Sequence, residues 1–281
     1  MRLKFAHILF LSLLLAAGLP SSASAQNPDS LMPDQSAVLA KKILGQLIEA
    51  LGGQAYLNAQ ESECSGRLSQ FGHNTDLTEY LEFKVYWHYP DWSRTDYGKK
   101  GNIIDLFTGN EGWTLDHGGV SPEPPESIAS FQELLRNSVD HLLRFRLNEQ
   151  GMLFRYGGLD LIDMHPVDWV EITDRDGRLY RLAVRRENHL LERSVVLVPN
   201  EKELERTEFT TLYSNYHPQD GIQTPFQISR ERNARRIFQA FYYGCKYNPG
   251  LPADFFTKSA LERRFADVGG KKARERAEKE K

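Results

Sequence analysis

The chain has 281 residues, 35 basic and 38 acidic side chains, a formal charge of −3 and 40% hydrophobic residues. That balance leaves no electrostatic footprint for nucleic acid, and the length suits one large β-rich domain. Two cysteines, Cys64 and Cys245, are too few for a disulfide framework.

Export information comes first. Arg2 and Lys4 precede the apolar run Phe5 to Ala17, and Ala23-Ser24-Ala25 supplies the small residues that a signal peptidase requires. The run is shorter than the roughly 20 apolar residues of a membrane-spanning helix. The expectation is a signal peptide over residues 1–25 cleaved after Ala25. Because Gln26 rather than cysteine follows the cut, the mature chain is expected to carry no lipid anchor by the bacterial lipoprotein route and to reside in the periplasm, the alternative being outside the cell. In that oxidising compartment the two cysteines would pair if their Cα atoms approached within about 7 Å. Sequence fixes no such distance, and separate buried thiols are the preferred reading.

Residues 26–35 are polar and proline-bearing, a flexible lead. Leu39, Ile43, Leu47 and Leu51 then recur at four-residue spacing, with Ser36 as a cap and Gly52-Gly53 as the stop, so an amphipathic helix packs one stripe onto a sheet. From Ser62 the period becomes two. Cys64, Gly66 and Leu68 share a face, and Leu81, Phe83, Val85 and Trp87 alternate with Glu82, Lys84, Tyr86 and His88. Further strands are predicted over 92–97, 103–108 and 112–117. A proline-rich break at 121–125 leads into a second helix over 127–148, and seven more strands run from Leu153 to Lys246. The fold class is α+β: a strongly curved antiparallel sheet, an unclosed β-barrel of about ten or eleven strands, with helices covering the concave face. Residues 36–266 form this half-barrel domain, and 267–281 form a charged, disordered tail.

Chemistry-bearing patterns are sparse. The histidines show no metal-ligand spacing, no nucleophile elbow occurs, and the glycine pairs lack a phosphate-loop pattern. Asp160, Asp163 and Asp168 around His165 form the one carboxylate group that could act as a metal-dependent hydrolase, although loop-solvated aspartates are the favoured reading. Arg230, Arg232, Arg235 and Arg236 surround Asn233-Ala234 at a hairpin tip, where they either steer phosphate headgroups or an acidic partner or, as preferred, serve solubility. No catalytic residue, metal or cofactor is assigned. Aromatic content is more telling, because large side chains on the hollow of a curled sheet either fill a core or line a pocket. Leu81, Phe83, Val85, Trp87, Trp113, Phe209, Phe226 and Phe238 are the expected lining of a hydrophobic cavity.

Several short segments carry a resemblance. Ala50-Leu51-Gly52-Gly53 with Tyr56-Leu57, Ser65-Gly66-Arg67, Gly109 to Trp113, Asp174 to Leu182, Asp220-Gly221-Ile222, Thr224-Pro225 and Tyr247-Asn248-Pro249 before Phe255-Phe256 together resemble a divergent branch of the LolA-like superfamily of outer-membrane lipoprotein-sorting proteins. The resemblance implies an unclosed barrel whose helical lid covers a cavity for lipoprotein acyl chains, with Arg67 as candidate for the lid-locking arginine. Arg144-Phe145-Arg146-Leu147 has no counterpart in that pattern. The expected function is a periplasmic, non-enzymatic protein that binds a lipid or an acylated lipoprotein. An envelope scaffold or stress sensor with a protein partner is the alternative, and peripheral membrane contact is compatible with both.

Overall fold

The computed structural model describes residues 28–72, 74, 76–199 and 206–267. The expected export signal, the start of the lead and residues 268–281 of the expected tail lie outside the described residues.

Among the described residues thirteen strands form one antiparallel sheet. The first six are β1 (Glu61–Phe71), β2 (Leu77–His88), β3 (Trp92–Tyr97), β4 (Ile103–Thr108), β5 (Glu111–Asp116) and β6 (Gly119–Pro122). The remaining seven are β7 (Leu153–Ile162), β8 (His165–Thr173), β9 (Leu179–Arg185), β10 (Leu191–Pro199), β11 (Arg206–Gln219), β12 (Ile222–Arg232) and β13 (Arg235–Tyr247). Each set is a meander of sequence neighbours, and pairing of β1 with β13 joins them, leaving β6 and β7 at the two edges. The sheet is therefore curved and open, as the alternation predicts. It is larger than the expected ten or eleven strands, partly because β6 occupies a stretch whose prolines read as a break.

Helix α1 (Pro33–Leu51) buries Ala40, Ile43, Leu44, Leu47 and Leu51. These side chains meet the inward residues of β7–β10, among them Val170, Ile172, Leu182 and Val196. Ser36 does not cap this helix. It lies a turn inside, buried, and its Oγ accepts the backbone N–H of Tyr156 at 2.9 Å, tying α1 to the edge strand. After the stop at Gly52, one short turn, α2 (Gln54–Leu57), leads into β1. Gly52 is required there: its φ is +131°, and a Cβ would lie 2.4 Å from the Gly221 carbonyl oxygen.

The second helix is interrupted rather than continuous. Helix α3 (Pro125–Asn137) ends at Ser138, whose hydroxyl accepts the N–H of His141 at 3.3 Å and restarts the chain as α4 (Val139–His141). A widened π turn over Leu142–Arg146 follows. Two arginines in that turn fix it at both sides. Arg146 reaches Asp174 at 3.2 Å and the Tyr180 hydroxyl at 2.8 Å, while Arg144 donates to the Ala59 carbonyl at 3.2 Å. The segment without a counterpart in the family pattern thus anchors the helical cover.

The outer face of β2–β5 has a separate core. Tyr86, Ile104, Leu106 and Leu115 are covered by Phe256 and Leu261 from the C-terminal segment, which ends in helical residues 258–267. Arg94 closes this layer, lying 4.2 Å from the Phe255 ring centroid and donating to both carboxylate oxygens of Asp96.

Candidate functional site

Between α1 on one side and α3 on the other, the central strands leave a cavity of about 760 Å³. That is toward the upper end of the ~300–1,000 Å³ typical of small-molecule sites. The strand wall contributes Val85 and Trp87 from β2, Phe209 and Tyr213 from β11, Ile228 from β12, and Tyr242 and Tyr247 from β13. Its helical side is made by Leu51, Tyr56, Leu134, Val139 and Leu143.

An irregular register builds the wall at the seam. Cys64 faces Cys245 and Ser65 faces Gly244, but Gly66 faces Tyr242, so Tyr243 is bulged out of the ladder. The bulge shifts the alternation by one residue, and Tyr242 joins Cys245 and Tyr247 on the inner face while Tyr243 points outward. Only glycine fits opposite the bulge, because a Cβ on residue 66 would lie 2.3 Å from the Phe241 carbonyl oxygen. The facing cysteines form a disulfide with Cα atoms 4.1 Å apart, which corrects the preference for separate thiols. Neighbouring strands in register bring them within the distance that sequence could not fix.

Of the eight predicted lining residues, Val85, Trp87 and Phe209 are in the wall. Leu81, Phe83 and Phe238 pack with Leu68 and Ala240 into a filled cluster beyond it, in contact with the cavity through the Phe83 ring, 5.5 Å from that of Tyr242. Phe226 packs against His217, the ring centroids 4.6 Å apart and tilted by 53°, and is not part of the lining. Trp113 belongs to the outer core with Leu115, since strand alternation puts these two on the face away from the helices. Arg67 is also on the outer surface, bonded to the Tyr80 hydroxyl at 3.2 Å and 3.6 Å from Glu82, and cannot lock a lid. The bulge shifts the period within β13, which hides Tyr242 and Tyr247 as residues of one wall, whereas Tyr213 follows Phe209 and Thr211 at alternate positions of β11 and is a wall residue outside the predicted lining.

One end of the cavity is closed by a polar-aromatic clasp. The Arg144 guanidinium is sandwiched 4.3 Å from the ring centroids of both Tyr56 and Tyr89, and pairs with Asp140 at 3.1 Å. Burial drives the Tyr56 and Tyr89 phenols well above their usual range, with Asp140 adding to the effect, so both hydroxyls stay neutral. Tyr247 is pushed up to about 12 by burial, despite a hydrogen bond to Thr224 at 2.9 Å. Three segments of the family pattern meet here. Gly52 packs on Gly221, Asp220 accepts the Tyr247 N–H at 2.9 Å, and Asn248 accepts the N–H groups of Gln60 and Glu61 at 2.7 and 3.2 Å.

At the other end the β12–β13 hairpin turns at Asn233 and Ala234, both with positive φ, and presents Arg230 and Arg232 to the cavity. Ile237 and Leu134 flank this mouth and are 36% and 40% exposed. Burial raises the Tyr213 and Tyr242 phenols, and Arg230 pulls both partly back.

The aspartates around His165 do not converge. Asp160 accepts the Trp169 indole N–H at 3.0 Å, whereas Asp168 accepts the Tyr156 hydroxyl at 2.9 Å and pairs with Arg186 at 3.0 Å. Trp169 belongs to the outer cluster and Tyr156 to the inner core, so the two carboxylates leave the sheet on opposite faces. Asp163 has φ +48° in the turn between the strands. Among the described residues no three histidine, cysteine or acidic side chains are grouped to hold a metal ion.

An open antiparallel half-barrel with a helix-covered, largely apolar hollow is the class of protein that these features define. Its particular relatives are found in structure alone: comparison with known protein families and with curated proteins gives no match. The fold is that of a DUF1329 family protein from Desulfovibrio piger, with a TM-score of 0.57 at 17% identity over 79% of this chain and 98% of that one. A LolA superfamily protein from Nitrosomonas europaea superposes with a TM-score of 0.51 at 15% identity, covering 79% of this chain and 99% of its own. A candidate outer membrane lipoprotein-sorting protein domain from Vibrio parahaemolyticus gives 0.51 at 10% identity with the same coverage. The LolA-like fold expected from the short sequence segments is thus the fold observed.

Proposed function

We propose that this is a periplasmic, non-enzymatic protein that shelters the acyl chain of a lipid or lipoprotein in the cavity between the curved sheet and its helices, as a carrier in envelope lipid or lipoprotein traffic. The observation that carries the reading is an unfilled hollow of about 760 Å³ walled by aromatic and aliphatic side chains. Burying an acyl chain of about 14 carbons there contributes on the order of 10 kcal/mol before ordering costs, at about 0.8 kcal/mol per methylene. Buried tyrosine hydroxyls that remain neutral keep the wall compatible with a greasy guest. The expected export signal, and the likeness to an outer membrane lipoprotein-sorting protein domain from Vibrio parahaemolyticus, support the same reading.

Thr211 lies on the β11 wall, and Thr211→Trp adds a bulky ring to it. The purified mature protein is expected to carry extractable lipid and to take up cis-parinaric acid, and the variant to lose at least about 90% of that uptake. A folded wild-type protein with no lipid by mass spectrometry and no uptake overturns the proposal.

A further inference from the structure

The charges in the cavity wall do not cancel. Four ionised side chains face it: Glu133, Asp140, Arg230 and Arg232. Both acids are neutralised from outside the cavity, Glu133 by Arg178 at 2.8 and 3.0 Å and Asp140 by Arg144 at 3.1 Å. The arginines, Arg230 half-buried and Arg232 exposed at the rim, lie instead against aromatic rings. Arg230 lies 5.6 Å from the Phe238 ring centroid and Arg232 5.8 Å from that of Phe209, and neither has a carboxylate partner among the described residues.

Their placement separates a charged end from an apolar one. Arg230 and Arg232 are two residues apart on β12, so they project from the same side of the strand at the hairpin mouth. Behind them lie Phe209, Ile228 and Val196. A guanidinium offers planar, paired donors that match a carboxylate or phosphate, and the ring beneath each one limits its motion. An uncharged tail would gain nothing from this pair, whereas a ligand with an anionic head would satisfy it while its chain fills the hollow.

Building on the acyl-binding reading above, we infer that the cavity selects amphiphiles with a single anionic head, seated on Arg230 and Arg232 at the hairpin mouth, with the acyl chain directed inward toward Tyr213 and Tyr242.

Displacement of cis-parinaric acid by three twelve-carbon competitors tests this in the mature protein: laurate, dodecyl phosphate and dodecanol, below their micellar concentrations and at a pH where the acids are ionised. Charge-assisted hydrogen bonds make at least one anion bind about 10-fold or more tightly than the alcohol, and the ranking of laurate against dodecyl phosphate identifies the head. In Arg230→Gln/Arg232→Gln the anion preference falls to less than about 2-fold while dodecanol binding is retained, and added salt weakens wild-type anion binding. Arg230→Lys/Arg232→Lys, which keeps the charge, preserves most of the preference and serves as the folding control alongside circular dichroism. Equal binding of all three competitors, or a preference that survives the glutamine pair, overturns the inference and leaves acyl binding intact. Failure of every amphiphile to bind a folded protein overturns both.

Discussion

The Cys64–Cys245 bond is a covalent cross-link between the two meanders where β1 meets β13, and its removal is the most quantitative test of how the half-barrel holds together. It closes a loop with a sequence separation of 181 residues across the β1–β13 seam. The chain-entropy relation for a loop of that length gives about 5 kcal/mol of stabilisation at 25 °C, acting mainly by restricting the unfolded chain. In a domain of this size that corresponds to a fall in Tm of roughly 10–20 °C. The perturbation is Cys64→Ala/Cys245→Ala, which changes both partners and leaves no lone thiol in the wall. Scanning calorimetry and urea unfolding of the variant are compared with the wild type, each with and without reductant. The wild type is expected to drop toward the variant when reduced, and the variant to ignore the reductant. Two titratable thiols in unfolded, unreduced protein would refute the reasoning, as would wild-type midpoints that do not move on reduction.

Two further perturbations probe the helical cover. Arg144 is 1% exposed and is held by two aromatic faces, the half-exposed Asp140 and a backbone carbonyl, so Arg144→Ala is expected to cost about 2–3 kcal/mol in urea unfolding, with Arg144→Lys recovering part of it. The His141 imidazole is held below its usual range by burial first and by Arg146 second, and its Nδ1 has no hydrogen-bond partner. Below a pH of about 6.5 the unfolded chain therefore takes up a proton that the folded one resists. Its contribution to stability is complete above that pH and is lost as the pH falls through the lower folded value. His141→Gln is expected to flatten the decline in urea midpoint between neutral and mildly acidic pH.

Much of the sheet can be read residue by residue, and the reasons it fails in places are specific. Alternation in 81–88 identifies both the strand and its inner face, and the inner face carries Val85 and Trp87 into the cavity. Trp113 looks equally suitable, yet its strand turns that side to the C-terminal segment, a partner nearly 150 residues later whose docking no local pattern announces. The second helix shows one continuous apolar stripe. Its break at Ser138 comes from a hydroxyl that caps a restart, a local alternative to helix that serine always offers. Arg230 and Arg232 are visible as a basic hairpin, but whether such charges point to solvent or into a hollow depends on which face of β12 the curvature makes concave.

Residue periodicity and turn chemistry alone determined most of the elements, their antiparallel order within each meander and the curling of a sheet too long to lie flat, because these follow largely from residues close in the chain. Tertiary structure decided the rest. The seam between β1 and β13, the bulge at Tyr243, the disulfide and the sorting of aromatic side chains between wall, plug and outer core all depend on contacts between residues up to about 190 positions apart. Such contacts are fixed by register and packing once the sheet has curved, and neither leaves a local mark in the chain.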